Sequence, residues 1–272
     1  MMKKLFLLIS VLLVTFPGVK AEPRLEVIRS VNLHCNDTVA VYSPAGCEGT
    51  RNLPTLFLLH GYGGCWRNWG AHMDLQDLCD RTGWRIICPD GFYDSWYFDN
   101  ADSQKMQWRS FFWGECWPLL DVQCGLDPSR TFITGLSMGG HGAMSIFLDR
   151  PERFRGAGSM SGVLDLRYSS GSKELIALIL GRKSIEKCDD QSAVWRLEGY
   201  ASLGKSATDD KLLVVTCGIQ DRTFCPASRL FESRCEALGI RFVAMYSEGR
   251  HNWDYWPCVL PYHIRWFSEI LK

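Results

Sequence analysis

The sequence predicts an α/β fold, with a mostly parallel central sheet and helices on both faces. Three observations carry that expectation. Eight short apolar runs rich in β-branched and aromatic residues recur along the chain. Stretches of helical character separate most of them, and the runs are so uniformly apolar that they read as strands covered on both sides.

Taken in order, "LEVIRSV" and "TVAVYS" read as paired strands near the start. "LPTLFLLH", "WRIICPD", "RTFITG", "RGAGSMSG", "KLLVVTCG" and "IRFVAMYS" follow at wide spacing. Helix candidates run from Ala71 to Arg81, Phe111 to Val122, Met138 to Asp149, Ser172 to Leu180, Ala227 to Leu238 and Tyr255 to Leu271. Two segments fit the alternation poorly. Residues 92–109 are aromatic and polar without a clear period, and residues 166–204 carry one convincing helix among many charges. Both are expected to arch over the end of the sheet at which open α/β folds bind ligands.

With 272 residues, 46% of them hydrophobic, the chain can bury a sizeable core. Thirty basic and thirty acidic residues balance to zero, which argues against a nucleic-acid partner. Two lysines, the apolar run from Leu5 to Phe16 and the small residues of Val19-Lys20-Ala21 read as a cleaved export signal over residues 1–21. A secreted or periplasmic protein is expected, with no integral membrane span after cleavage. Residues 22–272 show no repeat or low-complexity linker and read as a single domain, with a mature charge of about −3.

All twelve cysteines fall in that domain, and in an exported chain some are expected to form disulfides. No CxxC or HExxH occurs, so a structural zinc site or a zinc protease has no sequence support and no metal is expected. Cys88, inside "WRIICPD", reads as a small buried hydrophobe. Asn36-Asp37-Thr38 is a glycosylation sequon.

The segment with the most chemistry is "RTFITGLSMGGHGAM". A strand runs into Gly135-Leu136-Ser137-Met138-Gly139 and a helix leaves it, which is the context a G-x-S-x-G elbow needs to hold a serine exposed on a sharp turn. The same serine could instead be a simple helix cap, so its partners decide. A hydroxyl is a weak nucleophile without a base, and here an acid and a histidine follow in chain order, each just past a strand. Asp221 lies in "IQDRTF" after "KLLVVTCG", and His251 in "EGRHNWDYW" after "IRFVAMYS". Catalytic Ser137, Asp221 and His251 are therefore expected. Asp254 is the runner-up acid; Asp209 and Asp210 precede their strand and read as a solvated turn.

An oxyanion needs two backbone donors. The N–H of Met138 follows the serine directly, and the glycine-rich "HGYGG" turn offers Tyr62, with Gly63 second. His60, Gly63, Trp66, Trp96, His141 and Trp253 are candidates for the pocket, and Trp69 for its rim. His34, His72 and His263 read as packing or surface residues, and His141 at most as a pocket wall.

Together "LLHGYGG", "PDGFYDSWYFDN", "GLSMGGHGAM", "GSMSG", "CGIQD" and "GRHNWDYW" resemble the esterase D-like family of α/β-hydrolases over Pro54 to Trp256. That family includes S-formylglutathione hydrolases, tributyrin esterases, feruloyl and acetyl-xylan esterases and the antigen 85 mycolyltransferases. The resemblance implies an α/β-hydrolase fold, the same three side chains, oxyanion donors at Tyr62 and Met138, and no cofactor. Ile219-Gln220 before Asp221, and the many cysteines, depart from the usual pattern. The expected function is a secreted serine carboxylesterase acting on small-molecule esters or esterified polysaccharide, short-chain or carbohydrate-linked (acetyl or feruloyl). The alternatives are an antigen 85-type acyltransferase, an S-formylglutathione hydrolase-like thioesterase, or a binding protein on the same scaffold.

Overall fold

Each of the eight apolar runs supplies one strand. The computed structural model describes residues 22–271, so the stretch 1–21 read as an export signal lies outside the described residues. The strands are β1 (Arg24–Arg29), β2 (Asn36–Tyr42), β3 (Thr55–Leu59), β4 (Arg85–Cys88), β5 (Thr131–Gly135), β6 (Gly156–Met160), β7 (Leu212–Gly218) and β8 (Phe242–Ser247). They form one sheet in the order β1-β2-β4-β3-β5-β6-β7-β8. β1 and β2 are antiparallel, β2 runs antiparallel to β4, and every later pair is parallel.

Alternation along the strands sends side chains to two layers, because successive residues of a strand point to opposite faces. Phe57, Leu59 and Ile133 enter one core cluster, while Leu56, Leu58 and Phe132 enter the other. The helices are α1 (Asn68–His72), α2 (Leu75–Thr82), α3 (Trp108–Phe111), α4 (Trp117–Cys124), α5 (Met138–Asp149), α6 (Lys173–Ile179), α7 (Ala193–Ala201), α8 (Lys205–Thr208), α9 (Cys225–Leu238) and α10 (Trp256–Glu269). Buried residues of α3, α4, α5, α7 and α9 build the first cluster, and those of α1, α2 and α10 the second. Helices thus cover both faces, as the uniformly apolar strands require.

Three helical expectations change. The helix expected from Ala71 to Arg81 is two helices, because Met73 is extended and the Asp74 carboxylate caps α2 by accepting the Asp77 N–H at 3.1 Å. The helix expected from Phe111 starts earlier, at Trp108, and passes through a π turn over Phe112–Cys116. There the Trp117 N–H reaches to the Phe112 carbonyl five residues back, and Pro118, which has no N–H to donate, follows directly. Residues 166–204 hold α7 as well as the expected α6, and α8 follows directly after them. Val194, Leu197 and Tyr200 of α7 recur on one face and are buried, a periodicity readable in "SAVWRLEGYA".

Residues 92–109 and 166–204 meet, with the Ala101 N–H donating to the Ile179 carbonyl at 2.7 Å. Arg109 fastens the first to α5: it pairs with Asp149 at 3.0 Å and donates to Ser145 Oγ at 3.0 Å, while Arg196 of α7 pairs with Asp149 at 2.6 Å. The disulfides expected of some cysteines are not formed. All twelve thiols are unpaired, and eight of them are buried. Cys88 is buried as expected, and burial pushes the Cys79 thiol up to about 12, so it packs as a neutral group.

Candidate active site

The turn after β5 puts Ser137 in a backbone conformation that side chains rarely adopt, with φ 51° and ψ −118°. Such a residue costs about 1–3 kcal/mol and persists only where its surroundings hold it. Here its N–H donates to the Met160 carbonyl at 3.0 Å and its carbonyl accepts the His141 N–H at 3.1 Å. Gly139 allows α5 to start so close to β3. A Cβ there would lie 2.4 Å from the His60 carbonyl oxygen and 2.6 Å from that of Leu59, both backbone. Gly139→Ala is therefore expected to cost on the order of 3 kcal/mol and to lower the thermal midpoint by several degrees, measured by calorimetry. An unchanged midpoint would show that the strand and helix separate freely.

Two further loops converge on Ser137. Asp221 is 3% exposed, and its Oδ1 accepts the Phe224 N–H at 3.1 Å. His251 Nδ1 donates to Asp221 Oδ2 at 2.7 Å, which leaves Nε2 as the acceptor for the Ser137 hydroxyl at 2.9 Å. The structure thus brings together all three residues of the sequence expectation. A hydroxyl bonded to an imidazole whose other nitrogen is held by a buried carboxylate can pass its proton to the ring as the oxygen attacks an electrophile. The imidazole is packed between Phe224 and Trp256, at ring distances of 4.5 and 5.0 Å.

A cavity of about 340 Å³ opens above the serine. Residues 61–64, Asn68, Leu136, Ser137, His251, Trp253 and Trp256 line it. In the glycine-rich turn the Gly63 N–H is donated to the Tyr93 carbonyl at 2.7 Å and that of Gly64 to Gly61 at 3.1 Å. The N–H groups of Tyr62 and Met138 have no partner among the described residues, which leaves them available to an incoming oxyanion.

Of the six candidate wall residues, Gly63 and Trp253 line the cavity. Four do not. His60 is buried behind the turn, where Nδ1 donates to the Gly61 carbonyl at 2.8 Å and Nε2 accepts the Gly91 N–H at 2.7 Å. Trp66 lies in a separate groove with Tyr42 and Leu25, stacked under Arg67. Trp96 and His141 are buried against each other at a ring distance of 6.1 Å. Burial, with Arg109 and Arg196 nearby, drives the His141 imidazole down to about 3. Trp69, expected at the rim, is buried and donates to the Leu59 carbonyl at 3.1 Å.

The other histidines fall outside the site as expected. His263 is buried between Thr134 and Thr216, His34 is exposed, and His72 stacks on Trp253 at 4.1 Å from outside the cavity lining. Asp254 is exposed and accepts from Asn252, and Asp210 pairs with Arg155 on the surface. Asn68 and Trp256 were missed by sequence reasoning. Trp256 belongs to the "HNWDYW" cluster and could have been found there, whereas nothing local marks Asn68.

Comparison with known proteins agrees with this architecture. Residues 30–267 match the family model described as "Putative esterase". The chain belongs to this family. It is 26% identical over 240 residues to an acetyl esterase of Caldicellulosiruptor saccharolyticus, covering 81% of this chain and 85% of that one. It is 25% identical over 241 residues to the diacylglycerol acyltransferase/mycolyltransferase Ag85A of Mycobacterium tuberculosis, covering 77% and 71%. The structure of a ferulic acid esterase superposes with a TM-score of 0.77 at 20% identity, over 92% of this chain and 98% of the other. The fold is that of the α/β-hydrolase esterases, and the protein is an enzyme of the carboxylic ester hydrolase class. No helix among the described residues is long and apolar enough to cross a membrane.

Proposed function

We propose that this esterase is an exported serine carboxylesterase that cleaves short-chain or carbohydrate-linked esters through an acyl-enzyme. One observation carries the reading: the unbroken hydrogen-bond chain from Ser137 Oγ through His251 to Asp221, at the floor of a cavity walled by glycines and tryptophans. Ser137 Oγ attacks the ester carbonyl as His251 Nε2 takes its proton, while Asp221 holds the ring and stabilises the imidazolium. The Tyr62 and Met138 N–H groups receive the oxyanion. His251 then protonates the departing alcohol, and a water activated by the same imidazole releases the acid. Export rests on the residues 1–21, which have the composition of a signal.

A cavity of about 340 Å³ is near the lower end of small-molecule sites, which favours an acetyl over a long acyl group. Hydrolysis of p-nitrophenyl esters of increasing chain length, with methyl ferulate, acetylated xylan and S-formylglutathione alongside, tests this. Rates should be highest for acetyl and fall beyond butyryl. A rate that rises with chain length would overturn the short-chain assignment, and a sugar-dependent acylated product formed at the expense of hydrolysis would favour the acyltransferase reading that the likeness to Ag85A supports.

A further inference from the structure

The loops that carry Asp221 and His251 are held together by a side chain outside the hydrogen-bond chain. Gln220 makes three bonds to the histidine loop. Its backbone N–H donates to the Gly249 carbonyl at 3.0 Å, its side-chain Oε1 accepts the Gly249 N–H at 2.6 Å, and its Nε2 donates to Glu248 Oε2. Both sides of the Gly249 residue are thereby captured by one glutamine, as two strands would capture it in a ladder. Gly249 also lies against the Tyr255 ring, where a side chain has no room. A Cβ there would sit 2.2 Å from the ring of Tyr255, and one on Gly218 would sit 2.3 Å from the Gly249 carbonyl oxygen.

The position of this contact matters more than its number of bonds. Gln220 immediately precedes Asp221, and Gly249 is two residues before His251. Just before it the Ile219 N–H donates to the Ser247 carbonyl at 2.9 Å, which continues the pairing of β7 with β8 past the strand ends. Beyond Gln220 no further backbone bond joins the two loops among the described residues. Gln220 thus makes the last backbone contact between the two loops before the Asp221–His251 contact among the described residues. The Glu248 carboxylate accepts from Nε2 and so fixes which end of the amide faces Gly249. An acid at position 220 could not replace it beside Glu248 without bringing two carboxylates together.

We infer that Gln220 is a positioning residue, which sets the His251 loop against Asp221 through Gly249 and Glu248. The inference rests on the proposed roles of those two triad residues. Steady-state hydrolysis of p-nitrophenyl acetate from pH 5.5 to 8, with hydrogen exchange of the segment 247–252, tests it in Gln220→Ala, Gln220→Glu and the double variant Gln220→Glu/Glu248→Gln.

Gln220→Ala should lower kcat about tenfold with KM within twofold, and should speed exchange of the Gly249 amide by a similar factor. Gln220→Glu should be impaired most at pH 8. Its rate relative to the wild type should rise toward pH 5.5, where one shared proton restores the bond to Glu248. The double variant re-forms that bond with donor and acceptor exchanged, and should recover most of the lost kcat at pH 8. Wild-type kcat in Gln220→Ala, or a double variant no better than Gln220→Glu, would overturn the inference. The exchange arm reads the clamp whether or not the ester is cleaved, so unchanged protection of Gly249 in Gln220→Ala overturns it on its own. A wild-type rate in Ser137→Ala would instead overturn the triad chemistry.

Discussion

Ser137→Ala is expected to lower kcat/KM on p-nitrophenyl acetate by on the order of 10⁴-fold or more, because no other hydroxyl among the described residues is bonded to His251 Nε2. The residual rate would come from binding and from the Tyr62 and Met138 N–H groups, which the substitution leaves in place. A fluorophosphonate probe should label the wild type and not the variant. Ser137→Gly should be as inactive, yet the two variants should differ in stability. Alanine keeps the Cβ and with it the strain of φ 51°, whereas glycine relieves it at the cost of a more flexible unfolded chain. The glycine variant is expected to be more stable than the alanine variant by up to about 1 kcal/mol, read from denaturant midpoints. An alanine variant with the wild-type rate would remove Ser137 from the chemistry. A glycine variant less stable than alanine would show that the turn is not strained.

Asp37→Asn should stabilise the protein at neutral and alkaline pH, a result unusual for a buried acid. Asp37 lies in β2, fully buried, with Oδ1 accepting the Asp90 N–H at 3.3 Å and no hydrogen-bond partner within reach of Oδ2 among the described residues. Burial first, then the neighbouring Asp90 charge, pushes its carboxyl up to about 8. A group whose pKa is raised on folding favours the folded state fully below its ordinary value of 3.8, and that contribution is lost as pH rises through about 8. Asparagine mimics the protonated acid at every pH. The two proteins should therefore be equally stable near pH 3.5, with the gap widening by about 1.4 kcal/mol per pH unit above 4, to roughly 4 kcal/mol at pH 7.

His141 and His263 act with the opposite sign. Burial lowers both to about 3, so their contribution is present above the ordinary value of 6.5 and is lost as pH falls toward 3. Both proteins share that loss, so the difference between them isolates Asp37. Thermal midpoints measured across pH 3.5 to 8 would decide the matter. Destabilisation of Asp37→Asn at pH 8 would mean that Asp37 is ionised and paired in the fold.

Much of the site was legible because its chemistry is tied to strand ends. Ser137, Asp221 and His251 each follow an apolar run, and a parallel sheet brings the ends of such runs to one edge whatever lies between them. The walls of the cavity were less legible. His60 and Trp66 sit six residues apart in one glycine-rich stretch, yet the first is buried behind the turn and the second faces a different groove. Which way a loop side chain points depends on turn geometry, and the tight turn around Gly63 has no periodicity to reveal it. Likewise the break between α1 and α2 depends on the Asp74 cap, which competed with a helical pattern that ran straight through it.

By itself the sequence determined the eight strands, the elbow and the order of the three chemical residues, because hydrophobic period and turn chemistry are local properties of the chain. The tertiary structure alone decided the distances that make them a site: 2.7 Å from His251 to Asp221, 2.9 Å to Ser137, and the fit of Gln220 around Gly249. These contacts span 30, 114 and 29 residues of chain. They are set by how parallel strands from distant segments register against one another, and by glycines whose role is to let backbones meet. Neither leaves a local pattern, so that information exists only once the sheet has formed.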